Sequence, residues 1–97
     1  MIVGQDMVLR QEVERRRGAP ERLAYYLAGY PLAELCERLC CPEEAALRLQ
    51  LFHTPDAYEW LRSIQVIAAT LAVPVDRLTF LLREALGRRQ RHVTANS

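Results

Sequence analysis

The chain of 97 residues contains no lysine, and all thirteen of its basic residues are arginines. This absence excludes catalysis through a Schiff-base lysine, and it excludes the lysine with which a P-loop contacts a nucleotide. Cysteine occurs three times, an odd number that does not fit the disulfide framework of a small secreted domain. β-Branched residues are scarce and form no alternating run, so the sequence does not predict a sheet.

Long hydrophobic runs are also lacking. The longest uncharged run covers residues 63–75 and includes Gln65 and Pro74, whereas a membrane-spanning helix needs about 20 apolar residues. The first residues carry Asp6 and Arg10 in place of the apolar centre of a signal peptide. We therefore expect a cytoplasmic protein with no membrane partner, in which the cysteines stay reduced.

The charge balance is nearly even, with thirteen basic and twelve acidic residues and a formal net charge of +1. Such a balance argues neither for nor against a polyanionic partner, so only local clusters of charge are informative. Apolar residues make up 51% of the chain, which is typical of one ordinary globular domain that can bury a modest core.

Glycine and proline divide the chain into segments whose apolar residues recur at helical spacing. We predict helices at about residues 6–17, 20–29, 42–52, 56–72 and 75–86, with one further helix that begins at residue 31. Asp6 is expected to cap the first helix, Asp56 and Glu59 the fifth, and Gly87 to end the last. The predicted fold is an all-α, compact bundle of five or six short helices. It comprises an N-terminal helix or arm (1–19), a domain (20–87) and a basic flexible tail (88–97).

The stretch ELCERLCCP, Glu34–Pro42, resembles the start of the helix-turn-helix in the Cro/lambda-repressor (XRE) superfamily, whose pattern is Glu-Leu-Ala-x-x-Leu-Gly-Val-Ser. The stretch IAATLAVPVDRL, Ile67–Leu78, is similar to that family's closing Ile-Ala-x-x-Leu-Gly-Val-Asp-x-x-x-Leu. The resemblance covers about residues 20–86 and implies a degenerate helix-turn-helix-like frame with residues 42–52 as its recognition helix. Cys40 and Ala72 stand where the two patterns have glycine.

A DNA-binding transcriptional regulator is one function that the resemblance implies. In the implied recognition helix, however, only Arg48 and Gln50 are base-reading side chains of the usual kind. The helix opens with Glu43 and Glu44, which would face DNA phosphates unfavourably. The other candidates for contacts with nucleic acid are two arginine clusters, Arg15, Arg16 and Arg17 in one and Arg88, Arg89 and Arg91 in the other. The same clusters also suit the negative ends of helix dipoles.

The apolar residues of the predicted fourth helix go most of the way around it, so one apolar face remains after the core is filled. We expect a partner surface there, formed by Leu47, Leu51, Phe52 and Tyr58, and complete burial by the first helix is the alternative. The sequence thus favours a non-enzymatic, regulatory protein-interaction module that binds another protein or itself, as a homodimer. DNA binding is the second hypothesis.

Cys36, Cys40, Cys41 and His53 are the basis of a third hypothesis, a metal or redox sensor. Their spacing lacks the Cys-x-x-Cys pairs typical of zinc sites, so the favoured interpretation of the cysteines is as small buried residues. No serine or cysteine has a histidine and a carboxylate at a spacing that indicates a catalytic triad. We therefore expect no enzymatic activity, no cofactor and no small-molecule substrate.

Overall fold

The computed structural model describes the backbone of residues 3–95 and the side chains of residues 7–88. Six α helices occur in this part of the chain: α1 (Val3–Arg16), α2 (Leu23–Leu27), α3 (Leu32–Leu39), α4 (Glu43–Gln50), α5 (Trp60–Leu71) and α6 (Val75–Ala95). Within the same residues the backbone forms no strand, and extended pairing is limited to one isolated antiparallel bridge between Arg22 and His53. None of the described helices has both the length and the apolar character that crossing a membrane requires. The prediction of an all-α bundle is confirmed.

The C-terminal end of α6 and the N-terminal end of α1 differ from the prediction, because a single glycine or capping residue has only a weak effect on where a helix ends. α6 continues through Gly87 to Ala95, against the expectation that Gly87 ends it. A glycine inside a helix costs only about 1 kcal/mol relative to alanine, which the surrounding turns outweigh. The basic segment 88–95 is thus the last part of a helix of 21 residues. α1 begins at Val3, so Asp6 lies within the helix and does not precede it as a cap.

α5 begins later than predicted, at Trp60. Asp56 Oδ1 accepts a hydrogen bond from the backbone N–H of Tyr58 (3.1 Å), which closes a turn before the helix. Glu59 occupies the cap position without a side-chain hydrogen bond, so the expected capping pair does not form. α2 is also shorter than predicted, and turns flank it on both sides.

α4 lies at the centre of the bundle and contacts α1, α2, α3 and α5. Its composition requires this position, because a helix that is apolar nearly all round has to be covered on most sides. The main core is filled by side chains from α2 to α6, chiefly Leu23, Leu27, Leu35, Leu39, Leu49, Ile64, Ile67, Leu78, Leu81 and Leu82. Full burial of such a side chain contributes about 1.5–3 kcal/mol.

Two of the turns between helices have the same backbone structure. Cys40 ends α3 at φ 53° and ψ 49°, and Ala72 ends α5 at φ 57° and ψ 43°. The backbone N–H of the next residue, Cys41 or Val73, donates to the carbonyl five residues earlier, at 3.1 Å and 3.0 Å respectively. Both turns are therefore Schellman motifs, which end a helix with a left-handed residue that is usually glycine.

The segment between α4 and α5 is held by hydrogen bonds against the segment that precedes α2. The backbone N–H of Leu23 donates to the carbonyl of Phe52 (3.0 Å), and Arg22 Nη1 donates to the carbonyl of Leu51 (2.9 Å). The backbone N–H and the hydroxyl of Thr54 donate to two carbonyls of the same segment, at 2.8 Å and 2.9 Å. These bonds fix the position of Leu51 and Phe52 beside α4.

Candidate interaction surfaces

The face of α4 expected to bind a partner is covered by α1. Leu47 is 4% exposed and packs with Val13 of α1 and Ala24 of α2. Arg10 Nη2 donates to Glu43 Oε1 across the same helix contact (2.9 Å). The expectation that Leu47 lies on an open surface is therefore wrong, because the narrow apolar stripe of α1 is sufficient to bury it.

The other three residues of the expected partner surface have different surroundings. Leu51 is half-buried against the cluster of Val13, Ala24 and Leu47, and Phe52 is half-buried against the main core. Tyr58 lies in the turn before α5 and is 97% exposed. The structure thus does not combine the four residues into one exposed face of α4, and Tyr58 alone presents most of its surface to solvent.

The polar residues of α4 make contacts within the chain. Gln50 is 3% exposed, and its Nε2 donates to the backbone carbonyl of Ala46 (3.3 Å). The expectation that Gln50 is a base-reading side chain is therefore wrong. Its burial could not be predicted from the sequence, because glutamine is usually exposed. Arg48 is exposed, and its Nη2 forms an ion pair with Glu44 one turn earlier (2.9 Å).

Each arginine of the first cluster forms an ion pair with a glutamate of α1. Arg15 and Arg16 form ion pairs with Glu12, at 3.3 Å and 3.4 Å, and Arg17 pairs with Glu14 at 3.0 Å. Exposed pairs of this kind contribute about 0–1 kcal/mol each, so they hold the arginines only weakly. They nevertheless place two negative charges among the three positive ones, which weakens the cluster as a site for phosphates.

The second arginine cluster lies on the last turns of α6. The guanidinium carbon of Arg88 is 5.6 Å from the centroid of the Tyr30 ring, which is a cation–π contact. Arg89 and Arg91 follow on the same helix, and their side chains lie outside the described residues. The expected phosphate-binding role of this cluster stays a prediction.

Arg38, Tyr30 and Glu84 form a polar cluster that the sequence did not indicate. Arg38 Nη1 and the Tyr30 hydroxyl each donate to Glu84 Oε2 at 2.8 Å, and Arg38 Nη2 donates to Oε1 at 3.3 Å. These bonds, the one from Arg38 first, lower the pKa of Glu84 from its ordinary 4.5 to about 2. Burial, with the Glu84 contact adding to it, raises the pKa of Tyr30. The residues belong to no motif, since Tyr30 and Glu84 are 54 positions apart.

Cys36, Cys40 and Cys41 are free thiols. Burial raises the pKa of Cys36, and the charge of Glu43 adds to the effect. Burial also raises the pKa of Cys41, with a contribution from the two other thiols. A raised pKa lowers the fraction of reactive thiolate. Within the described part of the chain, no three His, Cys, Asp or Glu side chains are grouped to hold a metal ion, and His53 lies in the isolated bridge before α5.

The apolar residues of α5 are only partly buried by the rest of the bundle. Ile64, Ile67 and Ala68 pack in the core, whereas Leu61 is 66% exposed. Val66 is 56% exposed. The reason is geometric: the core covers one side of α5, and no other described helix covers the opposite side.

The uncovered side of α5 carries little charge. Its exposed side chains are Leu61, Arg62, Gln65, Val66, Ala69 and Thr70. All of α5 is described, and Arg62 is the only charged residue among those six. We define the α5 face as Leu61, Arg62, Gln65, Val66 and Ala69 of this side, together with Tyr58 in the turn that precedes α5. Exposed apolar side chains grouped with few charges are typical of a surface that contacts another protein.

A groove of about 450 Å³ lies between α1, α4 and α5, and we refer to it as the α4–α5 groove. Its apolar lining consists of four half-buried side chains, Leu9, Leu51, Phe52 and Leu71. Arg22, Arg48, His53 and Thr70 also line it. The groove thus combines an apolar surface with two guanidinium groups. It could not be predicted from the sequence, because its residues come from four separate segments.

Comparison of the chain with protein-family models, with curated proteins and with solved structures finds no match. The function is therefore inferred from the geometry of the described residues together with the sequence patterns.

Proposed function

We propose that this chain is a non-enzymatic, regulatory protein-interaction module that pairs with a second copy of itself through the α5 face. The observation that carries the proposal is the exposure of Tyr58 (97%), Leu61 (66%) and Val66 (56%) on and just before a helix with one exposed charge. When two such faces meet, apolar surface is removed from water, which contributes about 25 cal/mol per Å².

One charge within the α5 face and one beside it also favour self-pairing. Glu59 and Arg62 are both exposed, carry opposite charges and lie about one helical turn apart. In a twofold dimer a surface meets its own copy, so Glu59 of one copy can lie opposite Arg62 of the other. Association of the face with itself therefore need not leave either charge without a complement.

We further propose that the bundle is a degenerate helix-turn-helix of the Cro/lambda-repressor (XRE) type. Two turns support this: Cys40 and Ala72, which stand where the family patterns have glycine, both have positive φ. α3 and α4, joined by the first of these turns, correspond to the helix-turn-helix itself. The regulatory role in the proposal rests on this resemblance.

DNA binding has less support among the described residues. Gln50 is buried and Arg48 is paired with Glu44, so α4 has one exposed arginine with which to read a base. Glu43 and Glu44 are exposed at the start of the helix, where they would approach phosphates first. α1 covers a further side of α4. Self-association therefore remains the favoured proposal.

The experiment compares three variants, in each of which one valine or leucine is replaced by glutamate. Leu61→Glu and Val66→Glu each place a charge on the α5 face. Val8→Glu is the matched control, because Val8 on α1 is 56% exposed, as Val66 is. Sedimentation equilibrium should give a dimer for the parent and for Val8→Glu, and a monomer for the two α5 variants. Circular dichroism checks that all four chains retain their helicity.

Either of two results would overturn the proposal. A parent chain that stays monomeric up to its solubility limit would refute self-association. A dimer that Val8→Glu dissociates while Val66→Glu leaves it intact would place the contact on α1 and not on the α5 face.

A further inference from the structure

We propose that the α4–α5 groove binds a straight-chain fatty acid, with the carboxylate at the two arginines and the alkyl chain along the apolar lining. At about 450 Å³ the groove falls within the usual size range of small-molecule sites, roughly 300–1,000 Å³. Its lining residues do not belong to the α5 face, so the proposal does not depend on self-association.

The apolar lining comes from three parts of the chain that meet beside α4. Leu9 belongs to α1, Leu51 and Phe52 follow α4, and Leu71 is the last residue of α5. All four are half-buried, so each still exposes apolar surface to the groove. An alkyl chain placed against them removes water from both surfaces, which favours binding without requiring directional contacts.

The guanidinium groups of Arg22 and Arg48 line the groove and supply its hydrogen-bond donors for an anionic ligand. Arg22 Nη1 donates to the carbonyl of Leu51, and Arg48 Nη2 contacts Glu44, each at 2.9 Å. Because a guanidinium has five N–H donors, both arginines retain donors for a carboxylate, which accepts them readily in pairs. Among the described residues that line the groove, none is acidic.

The apolar lining and the two guanidinium groups together favour one class of ligand over the others. A sugar or a nucleotide needs polar partners along most of its length, whereas the groove is apolar over Leu9, Leu51, Phe52 and Leu71. A cationic amphiphile would be repelled by the arginines, and a neutral alcohol would leave them without a charged partner. A fatty acid has one anionic end and an apolar remainder, which matches the groove in both respects.

The test is calorimetric titration of the full chain with octanoate, decanoate and dodecanoate, each below its micelle concentration. We expect one saturable site, with affinity that rises by up to about fourfold for each added methylene, as burial of alkyl surface predicts. Dodecanol and dodecyltrimethylammonium should bind at least about tenfold more weakly than dodecanoate, because they lack the charge-assisted hydrogen bonds.

Matched variants locate the site. Arg48 is exposed and pairs only within α4 in the described contacts, so Arg48→Gln should preserve the fold and weaken dodecanoate binding by about tenfold. Arg83→Gln removes an equally charged, exposed side chain from α6, outside the groove, and should leave the affinity unchanged. Thr70 also lines the groove and is exposed, so Thr70→Phe should fill the groove and abolish binding.

Three results would each overturn the proposal. If titration with dodecanoate gives no saturable heat, the groove is not a fatty-acid site. The same result is expected if the groove binds a protein segment instead. Equal affinity for dodecanol and dodecanoate excludes recognition of the carboxylate. Unchanged binding in both Arg48→Gln and Thr70→Phe, with helicity retained by circular dichroism, places the ligand elsewhere.

Discussion

Replacement of Ala72 by glycine should stabilise the protein, although glycine inside a helix has the opposite effect. Ala72 ends α5 at φ 57° and ψ 43°, a conformation that costs a residue with a Cβ about 1–2 kcal/mol. Glycine avoids this cost but loses more conformational freedom on folding, about 0.5–1 kcal/mol. Ala72 is exposed, so no core packing is lost. The free energy of unfolding should therefore rise by about 0.75 kcal/mol when the midpoints of these two ranges are taken.

Ala69→Gly is the matched control for this substitution. Ala69 is also exposed but lies within α5, where glycine costs about 1 kcal/mol relative to alanine. In a domain of this size, 1 kcal/mol shifts the Tm by about 4–8 °C. Thermal unfolding followed by circular dichroism should raise the Tm of Ala72→Gly by about 2–8 °C and lower that of Ala69→Gly by about 4–8 °C.

A loss of stability in Ala72→Gly similar to that in Ala69→Gly would refute a left-handed conformation at residue 72. It would also remove one of the two turns that support the helix-turn-helix resemblance. A gain in Ala72→Gly together with a loss in Ala69→Gly would show that residue 72 fills the structural role of the glycine in the family pattern.

Glu84 should make unfolding depend on pH, because its folded-state pKa of about 2 lies below the ordinary 4.5. The stability that Glu84 contributes is present above pH 4.5 and is lost as the pH falls from there towards 2. The Tm of the parent should therefore decrease more over this pH range than the Tm of Glu84→Gln. An equal decrease of Tm with pH in both chains would contradict the contacts of Glu84 with Arg38 and Tyr30. In fluorescence anisotropy at low salt, the chain should not bind duplex DNA. Salt-dependent binding that a triple arginine-to-glutamine change at residues 15–17 weakens would instead favour the DNA-binding hypothesis.

The periodicity of apolar residues was sufficient to predict that the chain is helical and roughly where the helices lie. Local sequence signals were less reliable for predicting the residues at which the helices begin and end. Gly87 does not interrupt α6, because its cost of about 1 kcal/mol is small against the contacts of the surrounding turns. Asp56 accepts a hydrogen bond from Tyr58 in a turn and so does not cap α5. Both outcomes depend on competition between interactions of similar strength.

The candidate surfaces could be predicted only in part for the same physical reason. Tyr58, one of the four residues expected in the partner surface, is exposed, but the sequence placed the apolar excess on α4, where α1 buries Leu47. The exposed position of Leu61 and Val66 depends on which side of α5 the other helices cover. The α4–α5 groove likewise exists only because α1 and the end of α5 meet beside α4.

The sequence by itself determined that this protein is all-α, where proline and glycine separate its helices, and which residues are apolar enough to be buried. The tertiary structure decided which of them are buried. Helical periodicity depends on neighbours three or four positions away, whereas burial depends on segments that are distant in the sequence, such as α1 and α4, whose Val13 and Leu47 pack together. For this reason no local pattern showed that α1 covers Leu47 on α4, that Gln50 is buried, or that the α5 face is an exposed apolar surface.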